Sequence, residues 1–301
     1  MTNPAVYGAL PLGAVDAYVA PVQGVSKPLL LLSPTDSDAA TMAAGTQVAT
    51  LPVGNLQTIQ PQKKWRSTAT LDYVSVTFAS PIAANALALV GHNLSGVAVI
   101  RVRGAILQAN LTAAPDIDTG WQSAWPATGK PTIANWPNWL ALLTWANTTA
   151  TQYWRVDIAD PGNTDGYLEA GRLVLGTSWQ PTYNFDVQGS PIGFDSVDAQ
   201  SKSALGYLFT SKAVNSPARL FNVAISGTNR REVFDGISEI QRLRSLWGDV
   251  ICCLDPAETT DFHRFSMQGA FIQKPDYPIV PWFDSTGAQM FGAKIGLNEL
   301  L

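Results

Sequence analysis

Ala86–Val90 reads ALALV, five apolar residues in a row, with Asn85 before them and Gly91-His92-Asn93 after. A strand with one wet face alternates apolar and polar residues. A short unbroken run between turn residues instead predicts a strand covered on both faces. This run sits inside Trp65–Gly96, which holds its neighbours. Upstream, Leu71–Phe78 (LDYVSVTF) mixes apolar and polar residues at near period 2, as a half-buried strand does. Ser80-Pro81 reads as the break after it, and Gly91–Gly96 as a loop. Val97–Val102 (VAVIRV) reads as a third strand.

Further runs follow at short intervals. Tyr153–Ile158 alternates, Asp160-Pro161-Gly162-Asn163 turns the chain, and Tyr167–Leu175 returns as a closing strand ended by Gly176. Short strands with frequent turns predict an antiparallel β-sandwich over residues 51–180.

Residues 1–50 are rich in Ala, Gly and Pro and poor in large apolar side chains. They form an arm that must pack on another part of the molecule or on a neighbouring subunit. Within it Lys27–Leu32 predicts a strand and Ala39–Ala44 a helical turn. Thr46–Val53 predicts an edge strand, because Pro52 cannot donate to a ladder.

Around Ser178–Pro181 the texture changes, and residues 181–301 form a second, smaller unit of α+β type. Ala204–Ser211, Ala218–Ile225, Val250–Leu254, Arg264–Phe271 and Met290–Leu297 predict strands. Asn229–Trp247 predicts the one main helix. Asn229 and Glu232 have capping-box spacing, Arg242 and Arg244 complement the dipole of the last turn, and Gly248 ends it.

Composition narrows the function. Charged residues are 14% of the 301 and the formal net charge is −4. Average usage is about 25% charged, so this chain has little solvated surface to offer and points to an assembly subunit covered by partners. No basic cluster exceeds Lys63-Lys64-x-Arg66 or Arg230-Arg231, which argues against nucleic acid. The N-terminus lacks the basic and apolar regions of a secretory signal, and no apolar run approaches the ~18 residues of a membrane span. The two cysteines, Cys252 and Cys253, are adjacent in an apolar strand, where a disulfide would distort the peptide between them.

Catalytic patterns are missing. The two histidines, His92 and His263, have no Ser/His/Asp spacing around them. No motif singles out a carboxylate pair, and no Gly-rich phosphate loop occurs, so the chain reads as a non-enzyme. His92 reads as a loop residue bonding nearby backbone, and Asn93 as one suited to left-handed backbone in the same turn. Thr119–Trp154 carries six of the ten tryptophans. They have three readings: sandwich core, subunit interface, or platforms for sugar faces. Trp154 alternates with polar residues and reads as core. Trp121, Trp125, Trp136 and Trp139 lie in turn-rich sequence and are the surface candidates.

An ordered series carries a resemblance. It runs Gly54-Asn55-Leu56-Gln57, Trp65-Arg66-Ser67, Val74-x-Val76-x-Phe78, Ala86–Gly91-His92-Asn93-Leu94, Ile100–Arg103, Tyr153–Val156, then Gly171-Arg172-x-x-x-Gly176. This resembles the galactose-binding-like, discoidin-type jelly roll, and more narrowly its version in bacteriophage tail-tip and baseplate proteins. The C-terminal pattern, with a Trp-Gly turn after its helix and Leu-Asp-Pro after a strand, is similar to modules of the same proteins.

The resemblance implies a mainly β fold: a jelly-roll sandwich followed by the α+β domain. It implies a structural component of a tail tip or baseplate, made in the bacterial host cytoplasm and carried in the virion. Its partners would be other copies of itself and other tail proteins. The alternative is a carbohydrate-binding module for host-surface adhesion, and a third reading is a subunit of a wall-degrading enzyme. No cofactor is expected; discoidin-type folds often hold a structural calcium ion, and Asp157, Asp160 and Asp165 are the candidates for one here.

Overall fold

The computed structural model describes residues 29–133, 136, 138–182, 184–186, 189–195, 199–202, 208–211, 218–273, 277–283 and 289–301. Most of the expected arm, the Lys27-Pro28 start of its strand and residues 204–207 of the expected Ala204–Ser211 strand lie outside these.

The fold is mainly β, an antiparallel sandwich followed by a smaller α+β module. The outer sheet of the sandwich is built on Leu71–Ile82, Thr151–Ala159 and Val99–Ala105, side by side in that order. Thr41–Ala44 extends one edge, and the short strands Ile117–Asp118 and Gln122–Ser123 extend the other. The inner sheet has three strands, Arg172–Gly176, Ala86–Val90 and Leu140–Thr144. In the outer sheet Val74, Val76, Val102, Trp154 and Val156 face inward. They meet Leu87, Leu89, Leu173 and Leu175 of the inner sheet in one core.

The other face of the inner sheet is also buried. Ala86, Ala88, Val90 and Val174 pack with Leu30, Leu32, Ile251 and Cys253 in a second core. Those partners belong to the C-terminal sheet, whose order is Ser178–Trp179, Leu30–Leu32, Asp249–Cys253, Ser266–Phe271, Gln289–Glu299, Ala218–Thr228 and Ile192–Asp195. Its far face buries Leu31, Phe221, Val223, Cys252, Ile295 and Leu297 under Ile237 of the helix. The molecule is therefore four layers deep: sheet, sheet, sheet, helix. The ALALV strand is apolar throughout because a layer covers each side of it. Cys252 and Cys253 point to opposite faces of their strand, into different cores, which keeps both thiols free. Burial pushes the Cys252 thiol up to about 12, so it carries no thiolate chemistry.

Several elements differ from their sequence expectations. Ser80-Pro81 does not end its strand, which runs on to Ile82 at the edge of its pairing with Thr151. The expected helical turn at Ala39–Ala44 falls earlier, at Thr35–Ala39, and Thr41–Ala44 is a strand paired with Leu71–Ile82. Pairing with a long neighbour outweighs the helix propensity of Met42, Ala43 and Ala44. Thr46–Val53 holds only a Val48–Leu51 bridge and leads into a 3₁₀ turn at Val53–Gln57. The closing strand is split by Gly171 into Glu169–Ala170 and Arg172–Gly176. A Cβ at Gly171 would lie 2.0 Å from the Pro61 carbonyl oxygen, so the crossing needs a residue without one. Leu140–Thr144, inside the Trp-rich region, is a strand the sequence pattern did not reveal.

The main helix carries its capping box. Asn229 Oδ1 accepts the Glu232 N–H at 2.9 Å, and Glu232 Oε2 accepts the Asn229 N–H at 3.4 Å. Glu232–Ile237 winds as a π-helix and Ser238–Arg244 as an α-helix. Trp179 sits against the wide turns: a Cβ on Gly236 would lie 2.0 Å from its Nε1, which donates to the Glu232 carbonyl at 3.2 Å. Inserted groups of this kind are where π-bulges occur.

Candidate interaction site

The loop after Ala86–Val90 is built from its backbone outward. Gly91 has φ +62°, and its N–H donates to the Trp139 carbonyl at 2.7 Å. Only glycine enters that conformation freely, so Gly91, not Asn93, is the left-handed residue of the turn. Lys64 donates to the Gly91 carbonyl and Lys130 to that of Leu94, the latter at 2.8 Å. Asn93 spans the loop with its amide. Its Nδ2 donates to Asp165 and to the Tyr167 carbonyl, both at 3.0 Å, and its Oδ1 accepts the Glu169 N–H at 2.8 Å.

His92 is buried, and its Nδ1 accepts the Leu94 N–H at 3.3 Å. Burial, with Lys130 and Lys64 adding to it, pulls its pKa down to about 3. The ring is thus neutral, with its proton on Nε2. It meets Trp125 edge-on, the centroids 5.2 Å apart.

From there the aromatic contacts run in a chain. Trp125 meets Trp139 at 5.3 Å, Trp139 meets Trp136 at 6.1 Å, and Trp136 meets His263 at 4.8 Å in an edge arrangement. The Arg219 guanidinium lies 5.0 Å from the Trp136 ring. His263 and Arg219 belong to the C-terminal module. Burial and then the nearby Arg264 hold His263 below its ordinary pKa. Both histidines of the chain therefore sit uncharged on one tryptophan cluster. The loop is tied further by Asn138 Nδ2 donating to the Leu300 carbonyl at 2.8 Å and by Thr128 donating to that of Thr259.

This placement corrects the surface assignment. Trp125 is 6% exposed and its Nε1 donates to the Ser95 carbonyl at 2.6 Å. Trp136 and Trp139 are half-buried against the C-terminal module. Trp121 alone of the four stands out, 47% exposed, between Ile117–Asp118 and Gln122–Ser123. The residues that cover the other three come from other elements, His92 and Ser95 from the loop before them and Arg219 and His263 from the C-terminal module, and no local pattern announces them.

The calcium candidates are occupied by protein donors. Asp157 takes Arg103 at 2.7 Å and Arg155 at 2.7 Å, and Asp160 takes the Ser95 N–H at 2.7 Å and the Ser95 hydroxyl. Asp165 takes Asn93. Among the described residues, no group of three or more His, Cys, Asp or Glu side chains is placed to hold a metal ion.

A second seam between the modules is charged. Arg172, fully buried, donates to Asp249 at 2.9 Å and to Asp38 at 2.6 Å. Arg244 donates to the same two carboxylates, at 2.6 Å and 3.0 Å, and Gln268 adds a bond to Asp249 at 2.7 Å. Burial pulls the Arg172 pKa down, and the two carboxylates together outweigh this and hold it above its ordinary value. Two cations and two anions cancel, which makes such a cluster tolerable away from water.

Exposed apolar surface lies elsewhere. At the end of the helix Ser245 has φ 50° and ψ −143°. Past this bend Leu246 and Trp247 project, beside Leu243, and Trp247 is 67% exposed. Strain of about 1–3 kcal/mol in a non-glycine residue is retained where the surroundings over-determine it. Here the Gly248 N–H bonds the Arg244 carbonyl at 2.8 Å and closes the turn.

No protein-family model matches the chain, and no curated protein matches it. Solved structures do. The family 32 carbohydrate-binding module of NanJ from Clostridium perfringens, in complex with galactose, is 10% identical, with a TM-score of 0.35 over 48% of this chain and 98% of that one. Chitosan-binding module 1 of a chitosanase/glucanase from Paenibacillus sp. IK-5 is 14% identical, with a TM-score of 0.32 over 46% and 94%. Reduced XRCC1, solved bound to the DNA pol beta catalytic domain, is 11% identical, with a TM-score of 0.31 over 45% and 93%.

Proposed function

We propose that this chain is a structural subunit of a larger particle, and that its apolar outer surface is where neighbours attach. The observation that carries this reading is the projecting group Leu243, Leu246 and Trp247 beyond the strained Ser245. Large exposed side chains, with an indole among them, are the composition of an interface centre. The resemblance of the ordered series to tail-tip and baseplate proteins makes a bacteriophage tail the particle in question, with copies of this chain and other tail proteins as partners. Closure of the Trp-rich loops by the chain's own C-terminal module moves the contact surface to the helix end. The test is co-sedimentation with isolated tails or co-expressed tail proteins. The chain sediments with them, and Trp247→Ser lowers the bound fraction about tenfold, as loss of an interface anchor does. A parent chain that stays in the supernatant with every tail component overturns the reading.

One observation favours carbohydrate as a second reading. Trp121 stands exposed two residues beyond Thr119. Thr119 lines an open groove of about 320 Å³ with Asp116, Asp118, Asn147 and Thr149. Carboxylate, amide and hydroxyl groups beside an indole match the donors, acceptors and apolar face of a sugar. A glycan array that lights up for the parent and goes blank for Trp121→Ala supports it; a blank array for the parent removes it.

A further inference from the structure

The C-terminal sheet ends on Ile192–Asp195, and among the described residues no strand pairs with its outer side. The register sets Ile192 opposite Phe221, Gly193 opposite Leu220, Phe194 opposite Arg219 and Asp195 opposite Ala218. One step earlier, Asn222 donates its N–H to the Pro191 carbonyl at 3.1 Å. Hydrogen-bonded and non-bonded pairs alternate along an antiparallel ladder. The N–H and C=O of Gly193 therefore face Ala218–Thr228, and those of Ile192 and Phe194 face outward. The same two residues are apolar and open to solvent, Ile192 at 48% and Phe194 at 70%. Their side chains lie on the face that carries Phe221, so they continue the apolar row of the buried core. A free edge with outward backbone groups and exposed apolar side chains is a template for another strand.

We propose that the strand taken up is the same strand of a second copy, paired antiparallel about a two-fold axis through Gly193. This rests on the assembly reading and names one of its contacts. The five residues Pro191-Ile192-Gly193-Phe194-Asp195 are complementary to themselves when reversed. Ile192 falls opposite the partner copy's Phe194, and each bonds the other through N–H and C=O, giving four bonds. Those pairs set an aliphatic side chain against an aromatic one, a favourable cross-strand combination. Gly193 falls opposite its own copy in a non-bonded pair, where Cα atoms approach to about 4.5 Å. A Cβ built on Gly193 would meet nothing within 4 Å, so the space for that approach is open. Asp195, held at 3.0 Å by Asn298, falls opposite proline, so no like charges face each other. Two such strands bury far less than the roughly 1,200 Å² of a stable dimer. The pairing is thus a contact made at the high effective concentration inside a particle, and a covalent trap is the right probe.

Gly193→Cys in the full chain is that probe. Non-bonded antiparallel pairs meet the Cα spacing of a disulfide, and the native cysteines are buried and out of reach. Under mild oxidation, and with tails or co-expressed tail proteins present, Gly193→Cys forms a covalent dimer about tenfold faster than Leu71→Cys, a more exposed control on the sandwich. Adding Phe194→Pro, which removes the outward N–H and leaves the inner ladder alone, returns the rate to that of the control. Equal rates for Gly193→Cys and Leu71→Cys overturn the pairing. So does a Gly193→Cys rate that Phe194→Pro leaves unchanged while the melting temperature is also unchanged. If the variant with proline melts early, Phe194→Lys replaces it under the same criterion. Equal rates in a chain that still sediments with tails sink this inference alone, whereas failure to sediment sinks the assembly reading as well.

Discussion

The seam around Arg172 holds two guanidiniums against two carboxylates, Asp249 fully buried and Asp38 at its rim, while the seam around Trp136 holds rings, an Arg219 guanidinium and two uncharged histidines. Both join the sandwich to the C-terminal module. The first is directional: every charge has a fixed partner, and removing one leaves another stranded. The second is tolerant, since ring contacts weaken gradually with distance, but it depends on the histidines staying neutral. One seam is thus vulnerable to substitution and the other to acid.

The sharpest way to break the comparison is Arg172→Ala. It leaves the buried Asp249 and its half-buried neighbour Asp38 with a single remaining guanidinium and should cost about 3–5 kcal/mol in urea unfolding. A loss below 1 kcal/mol would show that the charged seam fixes nothing. Acid comes next. The folded pKa of His92 is about 3, below its unfolded value of 6.5, so the unfolded chain takes up the proton first. His92 therefore withdraws stability as pH falls below 6.5, about 1.4 kcal/mol per unit, or about 2 kcal/mol between pH 6.5 and 5. The same measurement on His92→Gln should lose that part of the slope, and an unchanged slope would place the acid sensitivity elsewhere. Trp136→Ala tests the rings alone. Its side chain is half-buried, so about 1–2 kcal/mol is expected, with faster amide exchange around His263 and normal exchange around Asp249. Trp247→Ala should change stability by no more than about 0.5 kcal/mol, because the indole is largely exposed, with the Arg244 guanidinium 5.6 Å from its ring.

What could be read from the chain follows the same division. ALALV announced a doubly covered strand because the cause, two packed faces, is written into five consecutive residues. The Asn229–Glu232 box was legible because both partners lie within one turn. Trp125 and Trp139 were not, because their cover comes from His92 and His263, and a turn-rich segment reads as surface until a distant module lies on it. Nor was the π-wound stretch, which exists because Trp179 presses on Gly236. Thr41–Ala44 illustrates a third kind of miss: Met42, Ala43 and Ala44 favour a helix locally, and pairing with Leu71–Ile82 overrides them.

Leu30–Leu32 lies inside the C-terminal sheet, between Ser178–Trp179 and Asp249–Cys253. In a growing chain its partner Ile251 is made only some 220 residues after that triplet. At about 5–20 residues per second the wait is roughly 10–45 s. Until then Leu30–Leu32 can pair only with Ser178–Trp179, and the core that Leu30 and Leu32 share with Ala88, Val90 and Val174 lacks Ile251, Cys253 and Phe262. The sandwich thus reaches completion with an apolar wall still partly open, and the Asp249–Cys253 strand is what seals it. A ribosome that stalls or a message truncated before Asp249 releases a sandwich with that wall partly bare, so quality control of this protein turns on reaching the Asp249–Cys253 strand.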